Sequence, residues 1–339
     1  MKLYLCAGLL LLAAGLGIWS AEWLYGSEEP RQPERVFEVR SGESLHALSR
    51  RLGEAGILDD HVLLGPRLLV WYARLLGVDR EVKSGEYDLS PSMAPAEILE
   101  KLVEGTVKTH AVTLREGLRL DEIAAALEAA GLAEADAFLQ TARDPELART
   151  LDIEAETLEG YLYPETYRFP RGADPRAMVE TMVRQFRAAW SDADHQRLAA
   201  SDLTLHEVVT LASIVEKETG RGEERPLIAA VFRNRLRRGM RLQTDPTVIY
   251  GRILVYGEFD GNLRRRDLQE DLPYNTYTRG GLPPGPIASA GIESIRAVLD
   301  PADVPYLYFV SRNDGTHVFS KTLAEHNVAV NRYQRSRRN

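Results

Sequence analysis

The distribution of apolar and polar residues divides this chain into stretches of distinct periodicity, and each predicts an element. From Leu3 to Ala21 no residue is charged, and the run Leu9 to Ala14 lies at the centre. That length approaches the roughly 20 residues with which a helix crosses a bilayer core. Lys2 precedes the run, and Trp19, Trp23 and Tyr25 stand at its far end, where an aromatic interface belt belongs. A cleaved signal peptide wants small residues three and one positions before the cut, and around Ala21 the earlier position is Trp19. The expectation over 1–25 is a single-pass transmembrane anchor with its N-terminus inside, which leaves the rest of the chain outside the cytoplasm.

Residues 26–35 (GSEEPRQPER) are polar, carry two prolines and read as a linker. Val36-Phe37-Glu38-Val39 then alternates as a strand does. Beyond a turn at Arg40–Glu43, Leu45, Leu48 and Leu52 recur at helical spacing behind Ser44, a suitable N-cap. A long apolar helix is expected over Val62–Leu76 and a second strand at Gly85–Leu89. The layout returns at Leu114–Ala124, with Gly117 matching Gly42, Leu120 matching Leu45 and Ile123 matching Leu48. Two copies of one supersecondary unit fall short of a solenoid. Ala-rich helices are expected over Asp121–Ala130 and Leu132–Ala142. The aromatic-rich Leu158–Tyr167 that follows either lines a groove or packs at the edge of a core.

The most informative helix begins at Thr204-Leu205-His206-Glu207, a capping box in which the Thr hydroxyl and the Glu carboxylate satisfy each other's backbone amides. Gly220 supplies the expected stop. Between them Leu205, Val208, Leu211, Ala212 and Val215 form one apolar stripe. Projected forward, that stripe carries Glu218 into a partly apolar setting and turns Lys217 away, while Glu216 lies on the stripe's other margin. Periodicity therefore prefers Glu218 to Glu216 only slightly, and an ordinary surface Glu at a helix end fits it as well. An apolar setting disfavours the charged carboxylate and raises its pKa, as a general acid working at neutral pH requires. The negative end of the helix dipole acts in the same direction.

Composition narrows the function classes. A chain of 339 residues with 44% hydrophobic and 27% charged content suits two or three folded domains. Its net charge of -8 argues against a general nucleic-acid binder, which needs clustered cations. Basic residues do cluster at Arg233, Arg235, Arg237, Arg238 and Arg241 and at Arg264–Arg266, either as solvated faces or as contacts for an anionic polymer. The lone Cys6 excludes an intrachain disulfide and a multi-Cys zinc site. His317, Glu325 and His326 are close in sequence, but adjacent residues do not share a helix face and no H-E-x-x-H pattern occurs, so no metal is expected.

Two resemblances sharpen the reading. Val39, Gly42, Glu43, Ser44, Leu45, Leu48 and Ser49 resemble the first half of a LysM module, which implies a carbohydrate-docking unit. Seven further strings occur in order: Leu211–Thr219 (LASIVEKET), Arg241–Gly251 (RLQTDPTVIYG), Tyr274–Tyr277 (YNTY), Gly281–Ile287 (GLPPGPI), Tyr306–Val310 (YLYFV), Gly315–Phe319 (GTHVF) and Glu325–Asn327 (EHN). Together they resemble the YceG-like family of endolytic murein transglycosylases along essentially the whole chain. The resemblance implies an α+β fold divided into an anchor (1–25), a linker (26–35), a LysM-like region (36–115), a helical connector (116–150) and a mixed α/β catalytic domain (151–339). It implies Glu218 as the catalytic acid/base of a lyase that cuts nascent peptidoglycan strands and leaves 1,6-anhydro ends, without a cofactor. It also implies an inner-membrane, periplasm-facing location and partners in the wall-synthesis machinery. Gln243, Asp245, Tyr250, Tyr274, Asn275 and Tyr277 are candidate substrate contacts, each with a structural role about as well supported, and Gly281–Gly285 is a rigid turn shaping a cleft wall. Two rivals stand beside this reading: a hydrolytic muramidase in which Asp245 or Glu216 serves a water, and a non-enzymatic glycan-binding scaffold.

Overall fold

A computed structural model of the chain describes residues 14–15, 17–26, 32–59 and 65–335. Most of the uncharged run Leu3–Ala21 lies outside these residues. Among the described residues no single helix is long and apolar enough to cross a membrane. The chain divides into two compact units, one of residues 1–110 with 168–172 and the other of 111–167 with 173–339.

The first unit is built from β1 (Arg35–Val39), α1 (Leu45–Glu54), α2 (Gly65–Leu76), β2 (Gly85–Leu89) and α3 (Pro95–Glu104). The two strands pair antiparallel with Phe37 opposite Tyr87 and Val39 opposite Gly85. Alternation sends Phe37, Val39, Tyr87 and Leu89 to one face. Leu48 and Leu52 of α1, Leu69 of α2, and Ile98 and Leu102 of α3 cover that face as a single core. Ser44 caps α1 by accepting the amide of Ala47 at 3.2 Å, and Gly42 makes the preceding turn at φ 73°, a region closed to most side chains.

The chain next forms β3 (His110–Thr113), α4 (Leu120–Ala129), α5 (Ala135–Ala142), α6 (Pro145–Thr150) and β4 (Thr166–Phe169), of which His110 and residues 168–169 belong to the first unit and the rest to the second. It continues through α7 (Pro175–Ala188), α8 (Asp192–Ala200), α9 (Leu205–Glu218), α10 (Arg225–Arg237), α11 (Asp245–Tyr256) and α12 (Ile292–Leu299). A hairpin of β5 (Tyr308–Ser311) and β6 (His317–Ser320), paired Phe309 to Phe319, leads into α13 (Leu323–Val330). The architecture is mixed α and β with small, two-stranded sheets. The echo between 42–48 and 117–123 survives in three dimensions. Gly117 turns at φ 79°, Leu120 opens α4 as Leu45 opens α1, and Ile123 and Leu48 are both core residues.

Helix α9 differs from the one-sided stripe that its sequence suggests. Every residue from Val208 to Val215 is buried, because α10, α11 and α12 pack around it. Of its two polar side chains, the Thr210 hydroxyl is buried without a hydrogen-bond partner among the described residues, whereas Ser213 is satisfied internally. Ser213 donates to the carbonyl of Thr210 at 2.7 Å and accepts the amide of Ile287 at 3.0 Å. The capping box at Thr204 and Glu207 forms as expected, but the stop is not a glycine cap. Thr219 leaves the helix in an extended conformation (φ -146°, ψ 138°), so Glu218 is the last helical residue.

A close approach fixes the loop that carries Pro286 against α9. Gly160 lies at φ 82°, and a Cβ there would stand 2.4 Å from Pro286 Cβ and 3.1 Å from Val209 Cγ1. Gly131 has a similar φ of 66° with nothing within 4 Å of the same position. Gly160→Ala is therefore expected to cost the second unit about 1–3 kcal/mol more than Gly131→Ala in urea unfolding. Equal losses for the two variants would contradict the packing described.

Candidate functional site

The extended backbone at Thr219 ends α9 where Glu218 faces a cavity of about 470 Å³. That volume lies within the roughly 300–1,000 Å³ of small-ligand sites. Glu218, Gln243, Asp245 and Tyr277 line it together with Arg235 and Tyr308–Ser311, His317 and His326. Three of the six candidate contacts are thus gathered around Glu218.

The loop that closes the cavity is held by threonines. Thr244, 2% exposed, donates its hydroxyl to Oε1 of Glu218. Its own amide donates to Thr276 Oγ1 at 3.0 Å, and its carbonyl accepts the Thr247 hydroxyl at 2.8 Å. Thr247 and Thr276 close the set at 2.9 Å. Gln243 immediately before takes φ 49°, an uncommon conformation for a residue with a Cβ, and is tied by its amide to the Thr276 carbonyl at 3.2 Å. Asp245 opens α11 and accepts the hydroxyl of Tyr277 at 2.6 Å.

Opposing influences set the state of Glu218. Burial raises its pKa most strongly, the Thr244 hydrogen bond lowers it, Asp245 raises it, and His317 and Arg235 lower it. The result is about 7 against an ordinary 4.5. Near neutral pH a large fraction of this group is the neutral acid. The Tyr277 hydroxyl is pushed upward by burial and then by its bond to Asp245, so it keeps its proton. His317 is steered by Glu224, whose Oε2 lies 2.6 Å from Nδ1 while Oε1 accepts the His317 amide at 2.8 Å. Burial alone would raise Glu224, but these bonds prevail and hold it below the usual carboxylate range.

The remaining candidates lie away from this cavity. Tyr250, 6% exposed, donates its hydroxyl to Glu159 Oε2 at 3.0 Å and sets its ring edge against Tyr274 at 4.8 Å. Asn275 is fully buried, its amide donating to the carbonyls of Asp267, Leu268 and Glu270 and its oxygen accepting the Tyr277 amide at 2.9 Å. It shapes the loop that presents Thr276 and Tyr277. Glu216, the sequence alternative to Glu218, accepts the Gly291 amide at 3.1 Å, the Ser294 hydroxyl at 2.7 Å and Arg225 at 3.1 Å. Its oxygens are committed to the fold.

An elevated pKa alone does not mark a site. Glu159 is also raised to about 7, first by burial, against hydrogen bonds from the Leu120 amide and Tyr250. It closes the start of α4 and does not line the cavity with Glu218. Sequence reasoning missed Glu159, and as cavity residues it missed Arg235, Tyr308 and His317. The Arg cluster and the motif strings contained all three of the latter, but which wall they join is set by contacts between α10 and the β5–β6 hairpin.

Comparison with known proteins places this geometry. The model of the YceG-like family matches residues 37–332. A Bacillus subtilis protein named endolytic murein transglycosylase is 31% identical over 341 residues, spanning 95% of this chain and 91% of that one. A Streptococcus pneumoniae (serotype 2) protein of the same name is 27% identical across 89% of this chain, which spans only 58% of that longer relative. The crystal structure of a YceG-like protein from Listeria monocytogenes superposes with a TM-score of 0.58 at 34% identity, covering 90% of this chain and 100% of that one.

The raised Glu218 pKa has a stability consequence with a definite sign. Between about 4.5 and about 7 the folded chain holds a proton that the unfolded chain releases, so Glu218 makes folding less favourable as pH rises through that window. Glu218→Gln, which stays neutral, is expected to gain about 1–3 kcal/mol on the wild type between pH 4.5 and pH 8 in urea titrations. A difference that stays constant over this range would mean that the folded-state carboxyl titrates normally.

Proposed function

The chain belongs to the YceG-like family, and we propose that it is a lytic transglycosylase that cuts peptidoglycan strands endolytically with Glu218 as its single acid/base. The observation that carries this reading is one carboxyl group, held near half-protonation at neutral pH and facing a ligand-sized cavity. Glu218 protonates the oxygen of the bond between N-acetylmuramic acid and N-acetylglucosamine, and the bond from that oxygen to the muramyl anomeric carbon breaks. The carboxylate so formed takes the proton of the muramyl 6-hydroxyl as O6 bonds to the same carbon. One bond breaks, one forms, Glu218 recovers its proton, and no water is consumed. The attacking hydroxyl is tethered to the ring it attacks, so high effective molarity replaces an activated water and a second carboxylate.

The other parts take supporting roles in the same proposal. Thr244 holds the carboxyl of Glu218 in place, and Gln243, Asp245 and Tyr277 meet the sugars in the cavity. Tyr250, Tyr274 and Asn275 act by shaping the wall. The strand–helix–helix–strand order of the first unit supports its reading as a LysM-like glycan-docking module. The uncharged run before Glu22 supports a single-pass anchor in the inner membrane with the catalytic part in the periplasm, next to the synthases whose strands it ends.

Asp245 lines the cavity, which keeps hydrolysis as the competing chemistry. Mass spectrometry of digested sacculi decides: anhydro-muramyl ends are expected, whereas reducing ends would mean that Asp245 serves a water. Glu218→Gln is expected to lower the rate about 10²–10⁴-fold, and full retention of cleavage would leave only a glycan-binding scaffold. The rate of the wild type is expected to fall as pH rises past about 7, where Glu218 loses its proton. Thr244→Val removes a bond that favours the charged form and is expected to move that limb to higher pH. A flat profile well above neutral, or a downward move in the variant, would contradict this account.

A further inference from the structure

Arg235 stands on α10 within the basic run Arg233–Arg241. It is only 8% exposed, so it is not one of the solvated cations that such a run normally supplies. Its Nε donates to the Leu307 carbonyl at 2.7 Å and its Nη1 to the Leu242 carbonyl at 2.6 Å. The Tyr308 ring lies 5.2 Å from the guanidinium carbon. These contacts fix the plane of the fork, but both acceptors are neutral. Among the described residues Nη2 makes no hydrogen bond and no carboxylate forms an ion pair with Arg235, while the residue lines the same cavity as Glu218.

A buried cation is costly unless it is paired. Arg235 keeps its proton regardless, since guanidinium is not deprotonated in proteins. Glu218 can balance it only when ionised, and the proposed reaction begins with Glu218 neutral. His326, stacked on Tyr308 at 5.3 Å, has its pKa lowered by burial and then by Arg235, so it adds little charge near neutral pH. In the form of the site that receives substrate Arg235 is therefore a fixed cation without an ion-pair partner, and Asp245, which also lines the cavity, accepts the Tyr277 hydroxyl instead.

We infer that Arg235 receives a carboxylate of the substrate through Nη2. The inference rests on the proposed transglycosylase reading. In a peptidoglycan strand the N-acetylated sugars are neutral, and the carboxylates belong to the peptide carried on the muramyl lactyl group. The ligand class is therefore an acidic muropeptide, and the site selects strands whose stem peptides keep their acid groups beside the scissile bond. A guanidinium held by two of its three nitrogens offers the third in a defined direction, which suits one carboxylate oxygen better than a mobile ammonium would.

The test uses the full chain and uncrosslinked strands in two forms, with stem carboxylates intact or converted to amides by carbodiimide and ammonia. The wild type is expected to favour the intact strands by about tenfold or more in kcat/KM, the scale of a hydrogen bond to a charged group. Arg235→Met is expected to cut the two forms equally, at a rate lowered for both, and Arg235→Lys to recover part of the preference. A wild type that cuts both forms equally, or a variant that keeps the preference, overturns the assignment of Arg235 and leaves the reaction itself intact. If neither form yields anhydro ends, the reaction is wrong instead. Arg235→Met also removes braces on Leu242 and Leu307, so a second arm keeps Arg235 in place. Glu218→Gln is titrated calorimetrically with N-acetylmuramyl-L-alanyl-D-glutamate and with its diamide. Binding of the acid at least about tenfold tighter supports the inference, and equal affinities overturn it.

Discussion

The structure turns on keeping one carboxyl group uncharged while leaving it open to a ligand. Burial that removes charge usually also removes access, and Glu159 shows that outcome, with its oxygens spent on a helix start and a tyrosine. Glu218 escapes because α9 ends on it. Eight buried residues lie behind it in the helix, the chain turns extended at Thr219, and the side chain emerges where α10, α11, the β5–β6 hairpin and α13 leave a cavity.

The surroundings then balance that state. Thr244 donates a hydrogen bond that restrains the rise in pKa, while Asp245 brings a negative charge that sustains it. Neither is free to drift. The Thr247 and Thr276 hydroxyls bind each other and the backbone of Thr244, Asn275 fixes the loop that carries Thr276, and Tyr277 holds Asp245. Such preorganisation is what electrostatic catalysis needs, since donors set in advance cost no rearrangement at the moment of reaction. Arg235 brings a positive charge to the same walls, fixed by backbone carbonyls, and His317 brings an imidazole held by Glu224.

Local signals in the sequence translated well. The strands at 36–39 and 85–89, the Ser44 cap, the Thr204–Glu207 capping box and the paired turns at Gly42 and Gly117 all rest on short-range chemistry, and each is found. Periodicity went less far for α9. An apolar stripe marks one face, but Val209, Thr210, Ser213 and Ile214 are buried by α10, α11 and α12, which are distant in sequence. The same limit applies to the site. Gln243, Asp245 and Tyr277 join Glu218, whereas Tyr250 and Asn275 turn into the fold, and only tertiary contacts separate aromatic and amide residues that face a ligand from those that pack. Arg235 looked like part of a solvated cluster until α10 met the β5–β6 hairpin.

The proposed chemistry depends on the Glu218 carboxyl keeping a large share of its proton in the folded chain near neutral pH. Carbon-13 NMR of the protein labelled at glutamate side-chain carboxyls reads this directly, with Glu218→Gln supplying the assignment. The account predicts a Glu218 carboxyl resonance that titrates with an apparent pKa of about 7. A resonance that is fully ionised at pH 6 would contradict it.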